Sequence, residues 1–187
     1  MTTKTKNAFS PIGHIPGPAR VITVTREPAR YDRETPMPPA RTAKQRKQDT
    51  LERLERDEDV WVATADGEDA TPYLVPLSFL WDGATLLLAT PAASPTGRNL
   101  RATGRARLGV GPTRDVVMIE GTAQTLTAAE LPDGVGDAFA EKTGFDPRTL
   151  TSEYLYFRVT PRRVQAWREA NELAGRDLMR EGEWIED

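Results

Sequence analysis

The chain has 187 residues, 38% of them hydrophobic and none of them cysteine, with 25 Lys and Arg against 28 Asp and Glu. That suits one domain with an appendage and removes disulfides, thiolate catalysis and thiolate metal sites. The single histidine, His14, lies in a proline-rich leader, so a Ser-His-Asp triad, a His-rich metal site and a core His base are removed too, and any chemistry is expected to come from a bound cofactor.

Charge is unevenly placed. Residues 1–47 carry ten Lys and Arg against three Asp and Glu, and the remainder carries fifteen against twenty-five. An acidic body is not the composition of a nucleic-acid binder. The basic leader, residues 1–41, reads as a solvated tail or an extended arm, available to nucleic acid or to an acidic partner. Within it, Arg20 to Thr25 has the pattern of a short strand, but flanking prolines deny it a sheet interior. No apolar run reaches the length of a membrane span, and the N-terminus lacks the apolar stretch of a signal peptide. A cytoplasmic protein without membrane contact is expected.

Residues 42–187 read as one domain. Thr42 to Asp57 predicts a helix with Thr42 as N-cap and with Ala43, Leu51 and Leu54 on a narrow apolar face. From residue 59 the period becomes that of strands. Val60–Thr64 predicts the first, a D-G turn follows at Asp66-Gly67, and Thr71–Trp81 predicts the second. Pro76 removes a ladder donor from that strand. The break either leaves backbone groups free to meet a flat heteroaromatic ligand or marks a barrel corner with no ligand. Thr85–Thr90 predicts the third strand.

The loop from Thr90 to Arg101 then gathers Thr90, Ser94, Thr96, Arg98 and Asn99 at the start of a short helical pattern opened by Gly97. Hydroxyls, a guanidinium and the free N–H groups of a helix start form a receptor for an anion, most naturally a phosphate. The alternative is a polar loop that caps the helix, with Thr96 as N-cap.

Ala106–Val110 predicts a fourth strand. Asp115–Leu126 predicts a long fifth, with Gly121 marking a bulge or a close backbone approach. Ala128–Thr143 predicts a helix with Leu131, Val135, Ala138 and Phe139 toward the core, its first turn weakened by Pro132 and Gly134. Tyr154–Val159 and Arg163–Arg168 predict two further strands, and a last hairpin pairs Leu178-Met179 with Trp184-Ile185. The fold class is mainly β (α+β), a small split β-barrel of six to seven mostly antiparallel strands with a few peripheral helices.

Pro76-Leu77-Ser78-Phe79, the W-D-G turn, a strand ending in Ala89-Thr90 and the run Ser94-Pro95-Thr96-Gly97-Arg98-Asn99-Leu100 resemble the pyridoxamine 5′-phosphate oxidase-like split-barrel superfamily. Val116 to Ala123 is similar to its strand before a helical excursion, and Thr160 to Trp167 to its closing strand. The resemblance implies a homodimer with a flavin at each subunit interface, either FMN or the deazaflavin coenzyme F-420. By position it implies that Pro76, Leu77, Ser78 and Phe79 line the ring system. Thr90, Ser94, Thr96, Arg98 and Asn99 would hold the phosphate, and Trp167 would stand near the ring or the dimer seam. Related sequences often place a lysine where Thr96 stands, so Arg98 would supply most of the positive charge.

The function implied is a flavin- or deazaflavin-dependent oxidoreductase acting on a small organic substrate, with no catalytic side chain assigned. The alternatives are a non-catalytic flavin-binding or haem-related carrier and a barrel whose leader recruits a partner. Clustered basic and His residues for gripping pyridoxal phosphate are missing, so true pyridoxamine phosphate oxidation is not expected.

Overall fold

The computed structural model describes residues 38–67 and 70–186, so the expected strand at Arg20–Thr25 lies outside the described residues. Helix α1 (Ala43–Arg56) begins at Thr42, whose hydroxyl accepts from the Gln45 N–H while the Gln45 side chain returns to the Thr42 N–H. This reciprocal cap satisfies two helix-end donors and fixes the start where the sequence placed it. Leu54 is buried as expected, with Ala43 and Leu51 at the edge of the core. The rest of the helix is not uniformly solvated. Arg46 is buried and donates to the carbonyls of Glu172 and Gly175 at 3.1 and 2.8 Å.

The strands are β1 (Asp59–Ala65), β2 (Pro72–Trp81), β3 (Leu86–Pro91), β4 (Arg105–Val110), β5 (Val116–Leu126), β6 (Tyr154–Trp167), β7 (Asp177–Arg180) and β8 (Glu183–Trp184). All pairings are antiparallel in the order β3-β2-β1-β4-β5-β6-β7-β8, and β3 also pairs with β6. That last pairing closes six strands into a barrel and leaves β7 and β8 as an extension. Inward residues such as Val62, Leu86, Leu88, Leu108, Ile119, Phe157 and Val159 form one core, and the period-two alternation of the strands places them there. A second cluster of Leu87, Ala89, Leu126, Phe139 and Tyr156 lies on the outer face of β3 and β6, where α3 (Val135–Thr143) covers it.

Three expectations are corrected. The two strands expected at 154–159 and 163–168 are one strand, because a bulge absorbs Pro161 without ending the ladder: Glu120 pairs with Arg163 but Gly121 with Pro161. The bulge predicted at Gly121 is present, and a Cβ there would lie 2.7 Å from the Thr160 carbonyl. The helix expected over 128–143 is a single turn at Ala128–Glu130 and then α3, separated by Pro132 and the left-handed Gly134. Gly136 and Phe139, three residues apart, set the buried face of α3, so Ala138 points to solvent. Finally, the N-cap of α2 (Pro95–Thr103) is Ser94, not Thr96. Pro95 suits the first helical position, where no N–H is needed, and the Ser94 hydroxyl accepts from Gly97 at 2.9 Å.

Candidate functional site

β2 and β3 pair only at Phe79–Leu88, Leu80–Leu87 and Trp81–Leu86. Below that point they part, β2 staying with β1 and β3 with β6. The split has a cavity of about 280 Å³ lined by Pro76, Leu77 and Ser78 on one side and Ala89 and Pro91 on the other. A proline on each wall removes a donor that a continuous ladder would need. The Ser78 hydroxyl donates to the Asp59 carboxylate at 2.8 Å. Phe145 and Tyr154 complete the lining, their rings edge-on with centroids 5.7 Å apart.

The structure therefore brings Pro76, Leu77 and Ser78 together at one opening. Phe79 stands where the strands rejoin, its ring wholly buried. The Lys142 ammonium lies 4.2 Å from that ring and donates to the Leu54 carbonyl at 2.8 Å. Burial pushes Lys142 below the usual lysine range, although Glu55, Asp57 and Glu58 pull it back up. This contact ties α3 and the end of α1 to the strand that lines the split.

The loop beyond β3 divides its side chains between inside and outside. Thr90 and Ser94 join hydroxyl to hydroxyl at 3.1 Å. Asn99 turns inward and donates to the Thr64 hydroxyl at 3.2 Å. Thr96 is 1% exposed, and its buried hydroxyl has no hydrogen-bond partner among the described residues. Arg98 is on the exposed face of α2 and donates to the Ala93 carbonyl, while Arg101 donates to the Ala92 carbonyl at 3.2 Å. The two guanidinia thus keep positive charge over the loop. Trp167 is elsewhere in the chain's own barrel. It pairs with Val116, whereas Thr90 pairs with Leu155, about 40 Å of extended strand away. The Arg176 guanidinium lies 5.5 Å from the Trp167 ring.

Asp59, Pro91, Phe145 and Tyr154 were not among the candidate residues. The one local signal was the spacing of Tyr154 and Tyr156 on β6, which places both rings on the same outer face of the strand. Tyr156 packs edge-on against Phe139, and Tyr154 faces the split.

The sequence from residue 47 to residue 168 matches the pyridoxamine 5′-phosphate oxidase family. Solved structures share the fold. The haem storage protein HutZ from Vibrio cholerae is 14% identical with a TM-score of 0.56, over 64% of this chain and 93% of its own. A conserved hypothetical protein from Mycobacterium tuberculosis is 20% identical with a TM-score of 0.54, over 67% of this chain and 86% of its own. General Stress Protein 26 from Bacillus anthracis is 14% identical with a TM-score of 0.50, over 65% of this chain and 92% of its own. No curated protein matches the sequence. At such identities the structural likeness concerns the fold, but the family match spans well over half the chain and includes both walls of the split, and the chain belongs to the pyridoxamine 5′-phosphate oxidase family.

Proposed function

We propose that this protein is a homodimeric oxidoreductase that uses FMN or the deazaflavin coenzyme F-420 on a small organic substrate, the cofactor lying between the subunits. The observation that carries this reading is the split between β2 and β3. It offers an unpaired strand edge and an aromatic pair to a flat ring. Its volume falls just under the roughly 300–1,000 Å³ of small-molecule sites, which is in keeping with a site that a second copy would complete.

The residues fit such a group in kind. The strand edge at Pro76 to Ser78 would run beside the ring, and Asp59 through Ser78 fixes a polar point on it. Arg98, with Arg101 behind it, supplies the charge for a phosphate that the uncharged Thr96 does not. The cofactor would supply the hydride chemistry, and the protein would orient it and exclude water. Dimerisation is supported by Trp61 and Leu74, 52% and 59% exposed on the outer face of β1 and β2. A self-complementary contact would cover them and would bring Trp167 of one copy toward the split of the other.

Absorbance titration of the purified protein with FMN and with coenzyme F-420, followed by turnover of the reduced cofactor with an organic acceptor, tests the reading. One cofactor per chain with turnover is the expected result. Binding without turnover assigns a carrier instead, and uptake of neither cofactor removes both readings.

A further inference from the structure

The barrel has a second opening. β1 and β4 pair at Trp61–Gly109, Val62–Leu108 and Ala63–Arg107, and then part. Past that point Thr64 and Ala65 remain paired with β2, and Ala106 and Arg105 with β5. The wedge between them is a groove of about 850 Å³, the size of a small-molecule site. β1 and β2 separate it from the β2–β3 split. Its lining is small, with Ala63, Ala65 and Ala106 beside Thr103 and Thr122, and the Thr103 hydroxyl donates to the Asn99 carbonyl and accepts from the Arg105 N–H.

Three guanidinia stand around this groove, those of Arg105, Arg107 and Arg162. Arg162 is there because of the β6 bulge. With Glu120 opposite Arg163 and Gly121 opposite Pro161, it is the extra residue with no cross-strand partner on β5. Its one ion pair among the described residues, 2.8 Å to Glu181, joins two exposed side chains. Arg107 pairs with Glu120 at 2.5 Å, and Arg163 approaches the same carboxylate at 3.8 Å. Arg105 carries no hydrogen bond or ion pair on its guanidinium among the described residues. Asp66 and Glu120 are the carboxylates in the lining, so the guanidinia outnumber them.

A groove with small side chains in its lining, a free guanidinium and a second one held only by an exposed pair is built for a planar or compact molecule carrying an oxyanion. Exposed ion pairs hold little energy, whereas an arginine grips a carboxylate or phosphate through two parallel hydrogen bonds. We infer that the β1–β4 groove is a binding site for a small phosphate- or carboxylate-bearing molecule, anchored by Arg105 and Arg162. The groove shares no lining residue with the split, although its Ala63 lies opposite Leu74 on the outer face of β1 and β2.

The test is a titration of the full-length protein at low ionic strength with inorganic phosphate and, separately, with succinate, read by backbone amide NMR shifts. Shifts confined to residues 103–107, 120–122 and 162, weakened about tenfold or more by Arg105→Gln, are expected. Arg105→Gln should melt with the parent, because its guanidinium holds no partner among the described residues. Tighter binding of phosphate assigns a phosphate ester, and tighter binding of succinate assigns a carboxylate. No shift with either probe at about 10 mM overturns the site. So do shifts at residues 94–98 alone, or shifts that Arg105→Gln leaves unchanged.

Discussion

Arg41 grips Glu172 with both sides of a fork: its Nε lies 3.0 Å from Oε1 and its Nη2 2.8 Å from Oε2. The backbone N–H groups of Arg41 and Arg168 donate to the same carboxylate at 2.9 and 2.8 Å. Asp49 and Asp115 face Arg41 at 2.7 and 3.2 Å. The pair thereby fastens the entry of α1 to the connection between β6 and β7.

Glu172 is buried, and the Arg41 fork holds its carboxyl down at about 2, against the opposing effect of burial. A carboxylate whose folded value is depressed adds stability above its unfolded value near 4.5, and this is lost as pH falls toward 2. Glu172→Gln should cost about 3 kcal/mol near neutral pH, the low end for breaking a buried pair, since Arg41 keeps its two aspartates. That corresponds to a loss of roughly 6–12 °C in melting temperature. Melting curves from pH 7 to 2 check both points. The variant should fall less steeply than the parent below pH 4.5, and parallel curves would contradict the assignment.

Two truncations isolate the same contact. Removing residues 1–37 takes away none of the contacts described above and should shift melting by no more than a few degrees. Removing residues 1–41 also deletes Arg41 and should cost several degrees more, because Glu172 then stays buried without its counter-charge. Differential scanning calorimetry of the pair reads the difference. Equal melting temperatures would show that Arg41 contributes nothing.

Much of this was legible along the chain because it is local. Alternation located the strands, Thr42 located the start of α1, and Gly121 located the bulge. What was hidden depends on pairing across the barrel. The strength of a proline as a breaker depends on whether a neighbouring strand can absorb it, so Pro161 looked like a boundary inside what is one strand. The side of a helix that Arg46 occupies depends on carbonyls 126 and 129 residues away. The split is a difference in length between two ladders, and no single residue announces that. Phe145 and Tyr154 reach it from elements whose placement the local pattern does not encode.

Arg98→Ala should weaken cofactor binding by one to two decades, from a charge-assisted contact of about 1.5–3 kcal/mol. Among the described residues its side chain makes one donation, to a surface carbonyl, so melting without cofactor should not move. Parallel titrations with FMN and coenzyme F-420 would measure the change. Unaltered affinity for both would reduce the loop after β3 to a helix cap.

Trp61→Glu places a charge on the outer face of β1 beside Pro76, its cross-strand neighbour. Light scattering of the parent should give twice 20.7 kDa and the variant a single chain. A monomeric parent at micromolar concentration would place the second half of the cofactor site somewhere other than a partner copy.

The pairing of β3 with β6 also imposes an order on folding. Leu86 to Pro91 find their partners at Tyr154 to Val159, so more than sixty residues must be made before that seam can close. During synthesis the Leu86-Leu87-Leu88 run waits as an open, apolar edge, and such edges template wrong pairing. β6 then meets β3, β5 and β7 in one strand. Its arrival is the event that turns an open sheet into a barrel, and with so many distant contacts formed at once it is the expected slow step of folding.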